Sequence, residues 1–142
     1  MNAIKATEFS WTESISVGDE TLDEQHRGIF AATNRLLDIV MGNRRLEETY
    51  GALVEIERYV RDHFSSEEAY MKDHGYPDLD QHQKIHAAFA ENFSERKEEV
   101  KTKGVSEALV LQLENYLGTW LLHHIGEEDQ KYARFIREKS AT

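Results

Sequence analysis

A single proline, Pro77, occurs in 142 residues, and outside a few glycine-bearing turns the apolar residues return every three or four positions. That spacing lays one apolar stripe along a helix, and no strand-like alternation of useful length competes with it. Leu22, Ile29, Phe30, Leu36, Leu37 and Val40 make the first stripe, which Gly42 and Asn43 break. Leu46, Tyr50, Leu53, Ile56, Val60, Phe64 and Met71 make the second, stopped by "DHGYPDLD" around Gly75 and Pro77. Ile85, Phe89, Phe93 and Val100 carry the third, with Gly104 just past its end. The fourth opens near Ser106, has Glu107 in its first turn, and carries Leu109, Leu113, Leu117, Trp120 and Leu121. Four helices joined by short loops predict an all-α, up-down-up-down four-helix bundle over about 19–128. The first stretch, about 1–18, reads as an irregular arm that packs Phe9 and Trp11 on the bundle. The tail, about 130–142, adds a short C-terminal helix. One domain covers 1–142, long enough to bury a single core without staples.

Composition narrows the chemistry. Cysteine is absent, which removes disulfides, thiolate metal sites and cysteine nucleophiles together. A formal charge of −10 repels phosphate backbones, so nucleic acid is not an expected partner. No run approaches the ~20 apolar residues of a membrane span, and "MNAIKATEFSWTESISVGDE" has no basic head followed by an apolar run. The expectation is a cytoplasmic monomer that binds no membrane.

The histidines say more. His26 lies four after Leu22 and three before Ile29, on the first stripe, while His63 and Glu67 continue the second. His82 and His86 are four apart with Phe89 and Phe93 following on the same face, and His124 follows Leu113, Leu117 and Trp120. In an alternating bundle the start of helix one, the end of two, the start of three and the end of four share one level. At about 1.5 Å of rise per residue, all these groups fall roughly 5 to 15 Å from the same bundle end. Singly, each has an ordinary reading: a hydrogen-bonded core histidine, an accidental pair, or a stabilising His–Glu couple four apart. Converging on one level, they describe a metal site, because neutral imidazole and carboxylate are ligands in their normal state. Nitrogen and oxygen donors alone leave iron, manganese, zinc or copper. His74 beside Gly75 reads as solvated, and His123, about 100° round the helix from His124, as surface. For a second carboxylate, regular helix geometry selects Glu128, four after His124; Asp129, about 140° away, joins only if the helix bulges near Gly126.

The pattern resembles the hemerythrins, in particular their single-domain bacterial form. It rests on "DEQH" ending in His26, "HFSSE" from His63 to Glu67, "HQKIH" from His82 to His86, and "HIGEED" from His124 to Asp129. "SVG" after Trp11, "GYP" before the third motif and "KY" after Asp129 match as well. The resemblance implies two non-haem iron ions, with His82, His86 and His124 on one and His26 and His63 on the other. Glu67, Asp129 and an oxo or hydroxo group would bridge them. It favours Asp129 over Glu128, against the plain helix argument. Nine protein bonds and two from the bridge leave one of twelve octahedral positions open, on the two-histidine iron, where the family binds dioxygen reversibly. By analogy Phe30, Phe64, Trp120 and Leu121 are candidates for the apolar wall of that oxygen pocket, though each also serves as core, and Tyr132 stands behind the ligands.

Carriage or storage of oxygen, passed to an oxygen-consuming acceptor protein, is therefore the expected function, and catalysis is not. Ferritin-like di-iron enzymes use Glu-x-x-His pairs and carboxylate-rich sites, and no histidine here has glutamate three residues before it. Sensing of oxygen, redox state or nitric oxide, detoxification, and an oxidase or peroxidase activity are the alternatives.

Overall fold

The computed structural model describes residues 10–42 and 46–141. A short 3-10 turn, Glu13–Ile15, precedes helix α1, Glu20–Gly42, and two further long helices follow, α2 at Leu46–Asp73 and α3 at Leu79–Lys103. The fourth rod is composite: α4 at Glu107–Leu113, a widened π segment at Glu114–Thr119, and α5 at Trp120–His123. A second π segment at His124–Glu128 then leads into α6 at Asp129–Ala141. Backbone angles at Leu113, Thr119, Trp120, His123, His124 and Asp129 are all right-handed helical, so this rod never breaks. The four-helix arrangement matches the periodicity. The expected short C-terminal helix is present as α6, and it continues the fourth rod.

Local chemistry places the ends. Asp19 Oδ2 accepts the Leu22 amide at 3.0 Å and starts α1, and Ser106 Oγ accepts the Leu109 amide at 3.1 Å and starts α4. Gly104 ends α3 at φ 79°, donating its N–H to the Val100 carbonyl, a conformation a Cβ would resist.

A large apolar core runs from Ile29 on α1 through Leu53, Phe64, Phe89 and Val100 to Leu113, Leu121 and Ile125. A smaller one joins Val17, Leu22, Met71, Tyr76, Tyr132, Ala133 and Ile136, where α6 closes one end of the bundle. Leu46, expected on the buried stripe, is 45% exposed. It is the first residue of α2, and helical side chains lean toward the N-terminus, so its side chain leans past the end of the core. Ile85 is only half-buried.

The arm is anchored by buried Asp23, which accepts the Val17 amide at 2.8 Å and the Ser16 hydroxyl. Gln130 Nε2 adds a bond to the Ile15 carbonyl at 2.9 Å. Trp11 packs on the large core under the Arg27 guanidinium, 4.7 Å from its ring; Phe9 and Asn43 lie outside the described residues. No helix of the described residues is long and apolar enough to cross a membrane.

Candidate metal centre

Seven polar side chains meet between the two apolar cores. His26 comes from α1, His63 and Glu67 from α2, His82 and His86 from α3, His124 from the first residue of the second π segment and Asp129 from the first residue of α6. None is more than 3% exposed. The four-residue spacings stack His63 over Glu67 and His82 over His86 as a regular helix does.

The five-residue spacing needs a different backbone. The Asp129 N–H bonds to the His124 carbonyl, five residues back, so this turn is wider by one residue than an α-turn. Asp129 therefore returns over His124, with Oδ1 3.0 Å from His124 Nε2. Glu128, which regular geometry selects, instead points outward and pairs with Lys131 at 3.0 Å. The plain helix expectation fails because the helix is locally not an α-helix.

Distances divide the cluster in two. Nε2 of His82 and His86 lie 3.2 and 3.0 Å from Glu67 Oε1, and Nε2 of His82 and His124 lie 3.1 and 3.0 Å from Asp129 Oδ1. Nε2 of His26 and His63 instead face Glu67 Oε2, at 3.3 and 3.2 Å, and His26 also faces Asp129 Oδ2 at 3.2 Å. Each carboxylate thus gives one oxygen to a three-histidine group and the other to a two-histidine group. Donors on one ion at about 2.1 Å in an octahedron sit about 3 Å apart along each edge and about 4.2 Å across it. The separations near 3 Å match edges, and the 4.0 Å from His124 Nε2 to Glu67 Oε1 matches an opposite pair.

Hydrogen bonding alone leaves this arrangement unsatisfied. Both oxygens of fully buried Asp129 lack a hydrogen-bond partner, although three imidazole nitrogens crowd them within 3.2 Å. Without cations, protons take their place. Burial pulls the His26 and His82 imidazolium ions down, but the close Asp129 and Glu67 carboxylates, by contact and by charge, outweigh it and push both up to about 9. His63 goes the other way, its burial only partly offset by Glu67. Burial would raise Glu67, yet the charge of His63 and hydrogen bonds from His26, His63 and His82 hold it well below the usual range. Asp129 is also depressed: burial and Glu67 oppose its charge, and His124 and His26 more than compensate. These donors fit a pair of bridged cations.

Outside the cluster, buried Tyr132 donates its hydroxyl to Glu67 Oε2 at 2.8 Å, and burial followed by the Glu67 charge holds that phenol well above its ordinary pKa, so it stays a donor. His63 Nδ1 meets Gln25 Oε1 and His86 Nδ1 meets Glu68 Oε2, each at 2.7 Å. The sequence pattern points to neither Gln25 nor Glu68. Their available signal is position, as the polar chain neighbours of His26 and Glu67. Phe64 stacks on His86 with ring centroids 3.7 Å apart, and half-buried Trp120 stacks on His124 at 4.7 Å. Phe30 and Leu121 are buried in the large core.

His74 is not solvated as expected but half-buried, its Nδ1 2.8 Å from the Tyr70 carbonyl at the end of α2. His123 is exposed and pairs with Glu127 at 2.9 Å.

The sequence profile described as "Hemerythrin HHE cation binding domain" matches residues 17–136. This chain belongs to the hemerythrin family. Among its relatives, a myohemerythrin of Theromyzon tessulatum is 35% identical over 124 residues, spanning 87% of this chain and 90% of the relative. A bacteriohemerythrin of Stenotrophomonas maltophilia is 28% identical over 127 residues, 89% of this chain and 80% of that one. Another, of Clostridium acetobutylicum, is 25% identical over 130 residues, covering 87% and 98%. Hemerythrin membership and the bridged three-plus-two donor set agree on a dinuclear cation site in this chain.

Proposed function

We propose that this protein binds dioxygen reversibly at a pair of non-haem iron ions, as a carrier or store rather than as an enzyme. His82, His86 and His124 would hold one ion, His26 and His63 the other, and Glu67 and Asp129 both. The observation that carries this reading is the split itself: three nitrogens against two, with each carboxylate shared across it. With one further bridging group, an octahedral ion held on the His26–His63 side would keep one position that these donors do not fill.

A pair of ferrous ions bound by these residues would supply the two electrons that reversible dioxygen binding needs. The chain's own part is to hold and to exclude. Glu67 and Asp129 fix the spacing between the two halves, and Tyr132 fixes Glu67. Phe64 and Trp120 cover the faces of His86 and His124, while Phe30 and Leu121 extend the apolar surroundings that keep water and reductants out. Five neutral nitrogens against two carboxylates suit reversible binding better than the carboxylate-rich sites of di-iron oxidases.

Anaerobic reduction, oxygenation and degassing, followed by optical spectroscopy and metal analysis, tests the proposal. Two irons per chain and charge-transfer bands that appear with oxygen and vanish on degassing are expected. One-way oxidation with turnover would make the protein an enzyme or a sensor, and one zinc with no iron would refute the dinuclear assignment.

A further inference from the structure

We propose that Glu68 and Gln25 make the two halves of the site unequal, Glu68 giving the His82–His86–His124 half the tighter hold on its ion and the lower reduction potential. This rests on the dinuclear reading above. The two contacts are alike in form: His86 Nδ1–H donates to Glu68 Oε2 and His63 Nδ1–H to Gln25 Oε1, both at 2.7 Å. Each acceptor is the chain neighbour of a cluster residue, Glu68 of Glu67 and Gln25 of His26, and each reaches a histidine on the next helix. Each is also steadied by a second contact on that same neighbouring helix. Gln83 Nε2 donates to Glu68 Oε1 at 3.3 Å, and Gln25 Nε2 donates to Ser66 Oγ at 3.4 Å, which turns the amide oxygen toward His63. By contrast, Nδ1 of His26 and of His124 are buried with no hydrogen-bond partner among the described residues. Among the described residues, His86 in one half and His63 in the other are thus held by a side chain at the outer nitrogen.

The charges differ. A carboxylate on the outer nitrogen makes an imidazole a more basic ligand and favours the more highly charged ion, whereas an amide oxygen orients the ring without adding charge. Outer partners of this kind are worth about 10- to 100-fold in metal affinity. The Glu68 side chain is 27% exposed, so solvent screens it and the lower part of that range applies.

Anaerobic titration of the metal-free full chain with ferrous ion, followed by calorimetry, tests this on three proteins. Wild type is expected to fill in two steps. Glu68→Gln keeps an acceptor for His86 and removes only the charge, so the tighter step weakens about tenfold and the weaker stays in place. The midpoint potential of that half rises by about 60 mV per tenfold of preference lost between the two oxidation states. Gln25→Glu, which leaves Glu68 in place, tightens the weaker step and narrows the gap. Equal loss at both steps in Glu68→Gln, or no change at either, overturns the asymmetry while the dinuclear site stands. If that variant fails to fold, an unaltered weaker step in Gln25→Glu overturns it alone. A wild-type chain that takes up no pair of ions sinks this inference and the proposed function together.

Discussion

Loading the metal-free protein should expel protons in a number fixed by His26 and His82. Both are pushed up to about 9 when no cation is present, so Glu67 and Asp129 are neutralised by two imidazolium ions. A group with that pKa is about 99% protonated at pH 7, about 90% at pH 8 and about half at pH 9. A metal ligand must be deprotonated. The two rings together therefore release about two protons at pH 7 and about one at pH 9. A water ionised between the ions adds a constant and leaves the decline unchanged. Apparent affinity for the pair accordingly climbs about a hundredfold per pH unit near pH 7 from these rings, and flattens above pH 9. The metal-free fold responds in the opposite sense. A folded pKa above the unfolded 6.5 contributes stability that is complete below about 6.5 and lost as pH rises through about 9. Anaerobic ferrous titration in weak buffer with a pH indicator counts the protons, and calorimetry in two buffers of different ionisation enthalpy checks the count. Fewer than one proton at pH 7, or a release that grows toward pH 9, would refute the charge assignment.

Tyr132→Phe removes the hydroxyl that holds Glu67 Oε2. His26 and His63 still face that oxygen, so the loss should fall at the low end of the ~1.5–3 kcal/mol of a hydrogen bond to a charged group, measured by denaturant unfolding of the metal-free chain. A variant as stable as wild type would show that the contact does not hold the carboxylate. Leu121→Ala, at a position 1% exposed, should cost about 2–5 kcal/mol and, on the oxygen-binding reading, speed autoxidation with iron content intact. An unchanged autoxidation rate removes Leu121 from the oxygen pocket.

Most of the bundle was legible because four stripes that return every three or four residues carry their own register, from Leu22 to Val40 and from Leu109 to Leu121. The convergence of five histidines and Glu67 followed from those stripes and the alternation of helix direction alone. Asp129 did not. A widened turn leaves no mark in a propensity pattern, and only the resemblance favoured it over Glu128. Gln25 and Glu68 escaped for another reason. Each sits about 100° round its helix from a buried neighbour, where a polar side chain reads as solvated, and only the packing of the next helix shows what it reaches. His74 departs from the solvated expectation because the backbone at the end of α2 offers an acceptor that sequence spacing does not display.

The segregation of the two interiors bears on the order of events during maturation. Toward the end remote from the histidines, Leu36, Leu37, Val40, Leu53, Val100 and Leu109 form an ordinary hydrocarbon interior that needs no ion to cohere. A small zinc finger must wait for its cation before it has a shape. Here the chain carries a hydrocarbon scaffold at one end that owes nothing to a cation, so metal uptake follows folding instead of driving it.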